Sequence, residues 1–253
     1  MTKRTPSSEM RAVICGESPM LAEFSKVLHD AGFPIECPAI AGTTPDEIPA
    51  NCTPTKSISV SAMFAVELSL IGMAEKRLRL RELDAVLPPD TPILTNSITV
   101  SVAEQASWII HPGRLLGIAA LPSLISAKLI EAAPGISTDR AIVTRAHDIF
   151  IAMGKEVSIV QDRVGLVMPR IVCSLINEAF FAMMEGAASP RDIDLAMKLG
   201  TNYPRGPVEW GNAIDLRIVV AILEAIRKDT GEERYRIAPL LRQMSQGQKW
   251  WNG

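Results

Sequence analysis

Cysteine, histidine and long apolar runs are all scarce in this chain, and each shortage excludes something. Only four cysteines occur, Cys15, Cys37, Cys52 and Cys173. No two stand at CxxC spacing, so neither a zinc site nor a disulfide framework is indicated, and no metal is expected. A reducing cytoplasm fits that usage. No apolar run is long enough to span a bilayer. The first ten residues, MTKRTPSSEM, are polar and lack the apolar core of a signal peptide, so a cytoplasmic location is expected. Neither sign of charge dominates: 26 Lys and Arg stand against 28 Asp and Glu, a net of -2. That balance gives no electrostatic case for nucleic acid or an anionic membrane. Internal repeats and low-complexity segments are missing too. What is present is a 47% hydrophobic content over 253 residues, ample for the buried core of one or two domains.

The first part of the chain reads as alternating strands and helices. Residues 11–15 form a short apolar run ending in a turn. A helical pattern follows, with Leu21, Phe24, Val27, Leu28 and Ala31 on one face and Gly32 as its stop. Residues 34–39 make a poor strand. Pro34 and Pro38 both remove ladder donors, so an edge position or a distorted strand is expected. Residues 42–54 are rich in Thr, Pro and Asn and read as loop. Further strands are expected at 57–61, 65–68, 93–95, 116–120 and 157–160. Helices are expected at 73–86, 100–106 and 140–153. Such alternation argues for a parallel sheet covered on both faces.

After Asp162 the pattern changes to helix alone. Residues 164–185 form one long apolar helix. Ser189, Pro190 and Asp192 then open a second, with a capping serine, a proline at the first helical position and an acid in the first turn. Gly200 is its expected close. A third runs over 215–229 before Gly231. The fold class is therefore an α/β Rossmann-like N-terminal domain over 1–161, followed by an all-α C-terminal domain over 162–253.

Three runs in the helical half are distinctive: DIDLAMKLG at 192–200, NYPRGPVEW at 202–210, and TGEERYRIAPLLRQM at 230–244. Together they closely resemble the C-terminal domain of the 3-hydroxyacyl-CoA dehydrogenases, which oxidise the 3-hydroxyl of a CoA thioester with NAD. The resemblance covers nearly all of the chain. It implies an NAD-binding first domain, a CoA thioester ligand, and a homodimer formed through the helical domains. No contact with nucleic acid or membrane is implied.

Upstream, the positions that carry the family's chemistry hold other residues. A dinucleotide fold uses G-x-G-x-x-G between its first strand and helix, for a tight turn and close approach of backbone to pyrophosphate. Here the glycine positions fall on Cys15, Glu17 and Met20, and Gly16 stands one position off. Glu17 would set a carboxylate where the pyrophosphate lies, and like charges repel. Pro19 removes a backbone donor from the helix N-terminus. The ribose acid aligns with Ala39. The family's cofactor-binding positions are therefore Gly16, Ser18, Met20, Ala39 and Glu67, and NAD is expected to bind weakly or not at all.

The family's Asn-Thr-Ser-Ser run becomes Asn96-Ser97-Ile98-Thr99, so its substrate serine is Ile98. Its catalytic histidine becomes Ala119, and its substrate asparagine becomes Pro169. Only the carboxylate partner of the histidine is kept, as Glu131. Hydride transfer from an alcohol needs a base within hydrogen-bond reach of the hydroxyl, about 2.6–3.2 Å. Alanine cannot accept a proton. Glu131 without an imidazole reads as a solvated or hydrogen-bonded structural carboxylate. His29, His111 and His147 are expected to have surface or capping roles. The CoA-clamping arm of the family corresponds to residues 41–57, shortened here and read as loop.

Three functions remain open on these residues. One is a non-catalytic paralogue that partners an acyl-CoA enzyme. Another is an NAD(P)-dependent oxidoreductase on an atypical 3-hydroxyacyl substrate. The third is a binding protein for a CoA thioester or other acyl ligand.

Overall fold

A computed structural model describes residues 11–40 and 47–247. The chain divides into two compact units, Met1–Leu166 and Val167–Gly253. The first is a Rossmann-like α/β unit and the second is helical.

Eight strands form one sheet in the first unit: β1 (Ala12–Cys15), β2 (Ile35–Pro38), β3 (Thr53–Thr55), β4 (Phe64–Glu67), β5 (Ile93–Asn96), β6 (Leu115–Ile118), β7 (Leu129–Pro134) and β8 (Glu156–Ile159). Their order is β3-β2-β1-β4-β5-β6-β7-β8. All neighbours are parallel except β6 and β7. Strands β1, β2, β4, β5 and β6 are buried at every position, as a sheet covered on both faces requires. Helices α1 (Met20–Asp30), α2 (Met73–Val86), α3 (Val102–Ala106) and α4 (Arg140–Ala152) make the connections. The chain passes outward from β1 to β2 in one direction and from β4 to β5 in the other. Right-handed crossovers therefore put α1 and α2 on opposite faces, with the topological switch between β1 and β4.

Several expectations need correction here. β2 is not an edge strand, because β3 pairs outside it. Its prolines fall at its ends: Pro34 precedes the strand and accepts from Ala12 N, and Pro38 closes it. The strand expected at 57–61 is absent, and β3 lies instead inside the stretch read as loop. Residues 41–46 of that stretch lie outside the described residues. Strand β7, which carries Glu131, had no counterpart among the expected strands.

The helical unit holds α5 (Met168–Met184), α6 (Pro190–Thr201), α7 (Pro207–Ile214), α8 (Leu216–Thr230) and α9 (Pro239–Ser245). α5 buries Pro169, Val172, Cys173, Ile176, Asn177, Ala179 and Phe180, a stripe at helical spacing that packs on α7, α8 and α9. Ser189 caps α6 by accepting from Asp192 N. The helix runs one residue past Gly200 and ends on Asn202 at φ 57, one of the few side chains that tolerate that conformation. Gly231 ends α8 at φ 70, with its N–H donated to Arg227 O. α7 and α9 are additions to the three expected helices.

Candidate functional site

The carboxyl end of β1 turns through Gly16, Glu17, Ser18 and Pro19 into α1. Gly16 adopts φ +143. A Cβ there would lie 2.7 Å from Leu68 Cβ and 2.8 Å from two Leu68 backbone atoms. The ends of β1 and β4 therefore approach too closely for any other residue, and Leu68 N donates to Cys15 O at 2.9 Å.

Glu17 spans the same gap. Its carboxylate accepts from Gly72 N at 2.8 Å, Ile71 N at 3.3 Å and Leu70 N at 3.4 Å. Gly72 is the N-cap of α2. An anion thus sits at the positive end of that helix, directly across the switch between β1 and β4. Ser18 and Ala39 are exposed at the surrounding turns, and Met20, the first residue of α1, is buried.

Glu67 is wholly buried and wholly committed. It accepts from Ser69 N at 2.8 Å and pairs with Lys76, whose side chain is equally buried. Lys76 also donates to Ser69 O and Thr95 Oγ1, each at 3.1 Å. Thr95 in turn donates to Gln105 Oε1 at 2.5 Å. Such a fully bonded network holds its members in place.

The positions expected to carry substrate chemistry gather at the carboxyl ends of β5 and β6. Asn96 Nδ2 donates to Ala120 O at 3.1 Å, and Ser97 N to Ile118 O at 3.0 Å. Ala119 N donates to the Glu131 carbonyl at 3.2 Å, which brings those two residues side by side. Glu131 is buried, not solvated. Ile98 is buried with its carbonyl accepting from Gly165 N. The hydroxyl of Thr99 is spent on Leu70 O at 2.7 Å. The β6–β7 loop is pinned at Ser123, whose N–H donates to both carboxylate oxygens of Glu23 in the first turn of α1, at 3.0 and 2.8 Å. Burial pushes the Glu23 pKa up, and the Ser123 bond opposes it. Pro169 lies in the first turn of α5 in the helical unit. There Arg170 donates to Tyr235 Oη at 2.6 Å, and both line a cavity of about 360 Å³ with Ile171, Ser174, Leu175 and Arg234.

None of the three histidines joins this cluster by a described bond. His111 Nδ1 lies 3.2 Å from Asp84, and His147 lies 3.8 Å from Asp148. His29 contributes its carbonyl to the close of α1.

Residues 41–163 match the NAD binding domain of 3-hydroxyacyl-CoA dehydrogenase, and residues 165–250 match its C-terminal domain. The chain belongs to the 3-hydroxyacyl-CoA dehydrogenase family. A 3-hydroxybutyryl-CoA dehydrogenase of Clostridioides difficile is 32% identical over 179 residues, 71% of this chain and 64% of that protein. One of Bradyrhizobium diazoefficiens is 31% identical over 178 residues, 70% of this chain and 61% of that protein. The match thus spans under two thirds of each of these relatives. The crystal structure of M. tuberculosis FadB2 shares the fold, with a TM-score of 0.83 at 21% identity over 94% of this chain and 93% of that one.

Nothing local in the sequence singles out Glu23 or Lys76, and there Glu17 reads only as a repulsive charge. Its bonds join residues 53 to 55 positions apart. No local pattern signals such a tie.

Proposed function

We propose that this chain is a catalytically impaired member of the 3-hydroxyacyl-CoA dehydrogenase family. In this reading it serves acyl-CoA metabolism as a non-catalytic binder of a CoA thioester or as a partner of an active enzyme. The observation that carries the proposal is the Glu17 carboxylate, bonded to the N–H groups of the β4–α2 turn. In a doubly wound sheet that crevice receives the dinucleotide. A negative side chain already satisfied there competes with a pyrophosphate for the same space and the same donors. The residues present therefore do not fit NAD, and no hydride step is derived for them. The missing base supports the same reading, because Ala119 cannot take the hydroxyl proton.

Calorimetric titration of the full chain with NADH and acetoacetyl-CoA tests this. Weak or undetectable NADH binding is expected, and binding at low micromolar affinity overturns the proposal. Ala119→His alone is expected to give no turnover of 3-hydroxybutyryl-CoA, because Ile98, Pro169 and Glu17 remain and groups acting as one unit fail together. Clear turnover by that variant would count equally against it.

The proposed assembly is a homodimer through the helical unit. Ile171 on α5 and Leu195 and Leu199 on α6 are exposed, Leu199 at 78%. Exposed apolar side chains on these two helices favour an interface. Family resemblance supports the same arrangement, with helical units meeting about a two-fold axis.

A further inference from the structure

Helix α5 has two faces of different character. Pro169, Val172, Cys173, Ile176 and Phe180 belong to its buried stripe, and Pro169 is the position expected to meet substrate. Arg170, Ile171, Ser174 and Leu175 recur at i, i+1, i+4 and i+5, so they share one face of the helix. At about 100° per residue that face lies nearly opposite the buried stripe. These four residues line the cavity of about 360 Å³ together with Arg234 and Tyr235. The cavity is thus built on the side of α5 turned away from Pro169.

Its size falls within the range of small-molecule sites, about 300–1,000 Å³. Ile171 and Leu175, one turn apart, give it an apolar wall. The rest of the lining is cationic or neutral. Both guanidiniums stand over the ring of the buried Tyr235, Arg170 at 5.4 Å and Arg234 at 5.0 Å from its centroid. The phenol ring therefore gathers two positive charges beside the apolar wall. Among the described residues, no acid lines the cavity. Arg234 is paired outside that lining with Glu232 at 2.8 Å, and both side chains are more than half exposed. An exposed pair of that kind contributes little and yields readily to a competing anion.

We propose that this cavity binds a short-chain carboxylic acid, with the carboxylate on Arg234 and Arg170 and the alkyl chain on Ile171 and Leu175. A guanidinium presents a planar fork that matches the two oxygens of a carboxylate. The apolar wall selects an acid that carries a chain over an inorganic anion, which gains nothing there. Ile171 also lies on the face offered above to a second copy, and an acid from that copy is the competing occupant. The inference does not rest on the loss of hydride transfer. It uses residues of the helical unit alone, and its probes carry neither nucleotide nor thioester, so either reading can fail by itself.

The full chain is titrated calorimetrically with hexanoate, hexanol, acetate and inorganic phosphate. Hexanoate is expected to bind about tenfold or more tighter than hexanol, as one charge-assisted contact supplies. It is expected to exceed acetate by about tenfold or more, as burial of its methylenes supplies. Arg234→Gln is expected to abolish the preference over hexanol. Glu232→Gln removes the competing acid and is expected to tighten hexanoate several-fold, a gain that no loss of structure produces. Both residues are exposed, so neither exchange threatens the fold. Leu199→Glu is expected to leave hexanoate binding unchanged. The proposal is overturned if hexanol, acetate or phosphate binds as tightly as hexanoate, if the preference survives in Arg234→Gln, or if Glu232→Gln fails to tighten binding. Hexanoate binding that appears only in Leu199→Glu assigns the cavity to the second copy and overturns it as well.

Discussion

Removing the Glu17 carboxylate should loosen the joint between β1 and α2, and the size of the effect can be worked out bond by bond. The Gly72 N–H bond at 2.8 Å is a bond to a charged acceptor, worth about 1.5–3 kcal/mol. The Ile71 and Leu70 bonds, at 3.3 and 3.4 Å, are long and add little. Glu17 is half-buried, so solvent screening favours the low end of that range. A negative charge at a helix N-terminus adds about 0.3–1 kcal/mol. Glu17→Ala should therefore cost about 2 kcal/mol in all. For a unit of this size that corresponds to a fall of about 4–8 °C in melting temperature. Glu17→Gln keeps an acceptor and loses the charge, so it should fall between the two. Differential scanning calorimetry of the three proteins is the assay. If Glu17→Ala melts with the unaltered chain, the carboxylate is not a tie. If Glu17→Gln is as damaging as Glu17→Ala, the acceptor is not what matters.

Gly16→Ala should destabilise by about 2–5 kcal/mol, combining backbone strain at positive φ with overpacking against Leu68; denaturant melts against a Ser18→Ala control check it, and equal midpoints would contradict it. Asp194 accepts from Val208 N and Glu209 N at the start of α7, and burial raises its pKa above the ordinary carboxylate value despite those bonds. The native state therefore holds that proton to higher pH than the unfolded chain, so the stability difference between the unaltered chain and Asp194→Asn should be largest at low pH. It should shrink as pH rises through the raised native value, and a difference that grows with pH in urea melts would reverse the assignment. Leu199→Glu should convert a dimer to a monomer near 27.5 kDa by light scattering with little change in melting, because the side chain is exposed in the single chain; a mass unaffected by this charge would place the interface elsewhere.

Local chemistry made much of the fold legible, and distant chemistry hid the rest. α2 was expected at 73–86 and occupies those residues, because an uninterrupted run of good helix formers needs little help. The αL stop of α8 could be read from Gly231. β3 could not, since Thr53-Pro54-Thr55 has every mark of a loop and becomes a strand only by pairing with β2. β7 was hidden by Glu131 and Pro134, which interrupt an apolar run that the antiparallel partner β6 nonetheless orders. At the candidate site, the positions the family resemblance implies could be named residue by residue. What fills the space could not. Arg79, in the run KRLRLRELD, resembles one of several solvated charges, yet it is among the most deeply buried side chains of α2.

The short strand at one border of the sheet has a consequence for how copies of this chain meet. β3 is three residues long and its middle residue is Pro54, which has no N–H to offer. A strand from another molecule finds almost nothing to pair with there. The opposite border, β8, is longer and ends in Ile159, 55% exposed, while its first residue, Glu156, pairs with Lys128. The two margins are therefore unequal as templates for cross-β growth. When the protein is stressed by heat or mild acid, aggregation should start from the β8 margin. A charge placed at Ile159 should slow it, whereas one placed at Thr53 should change nothing.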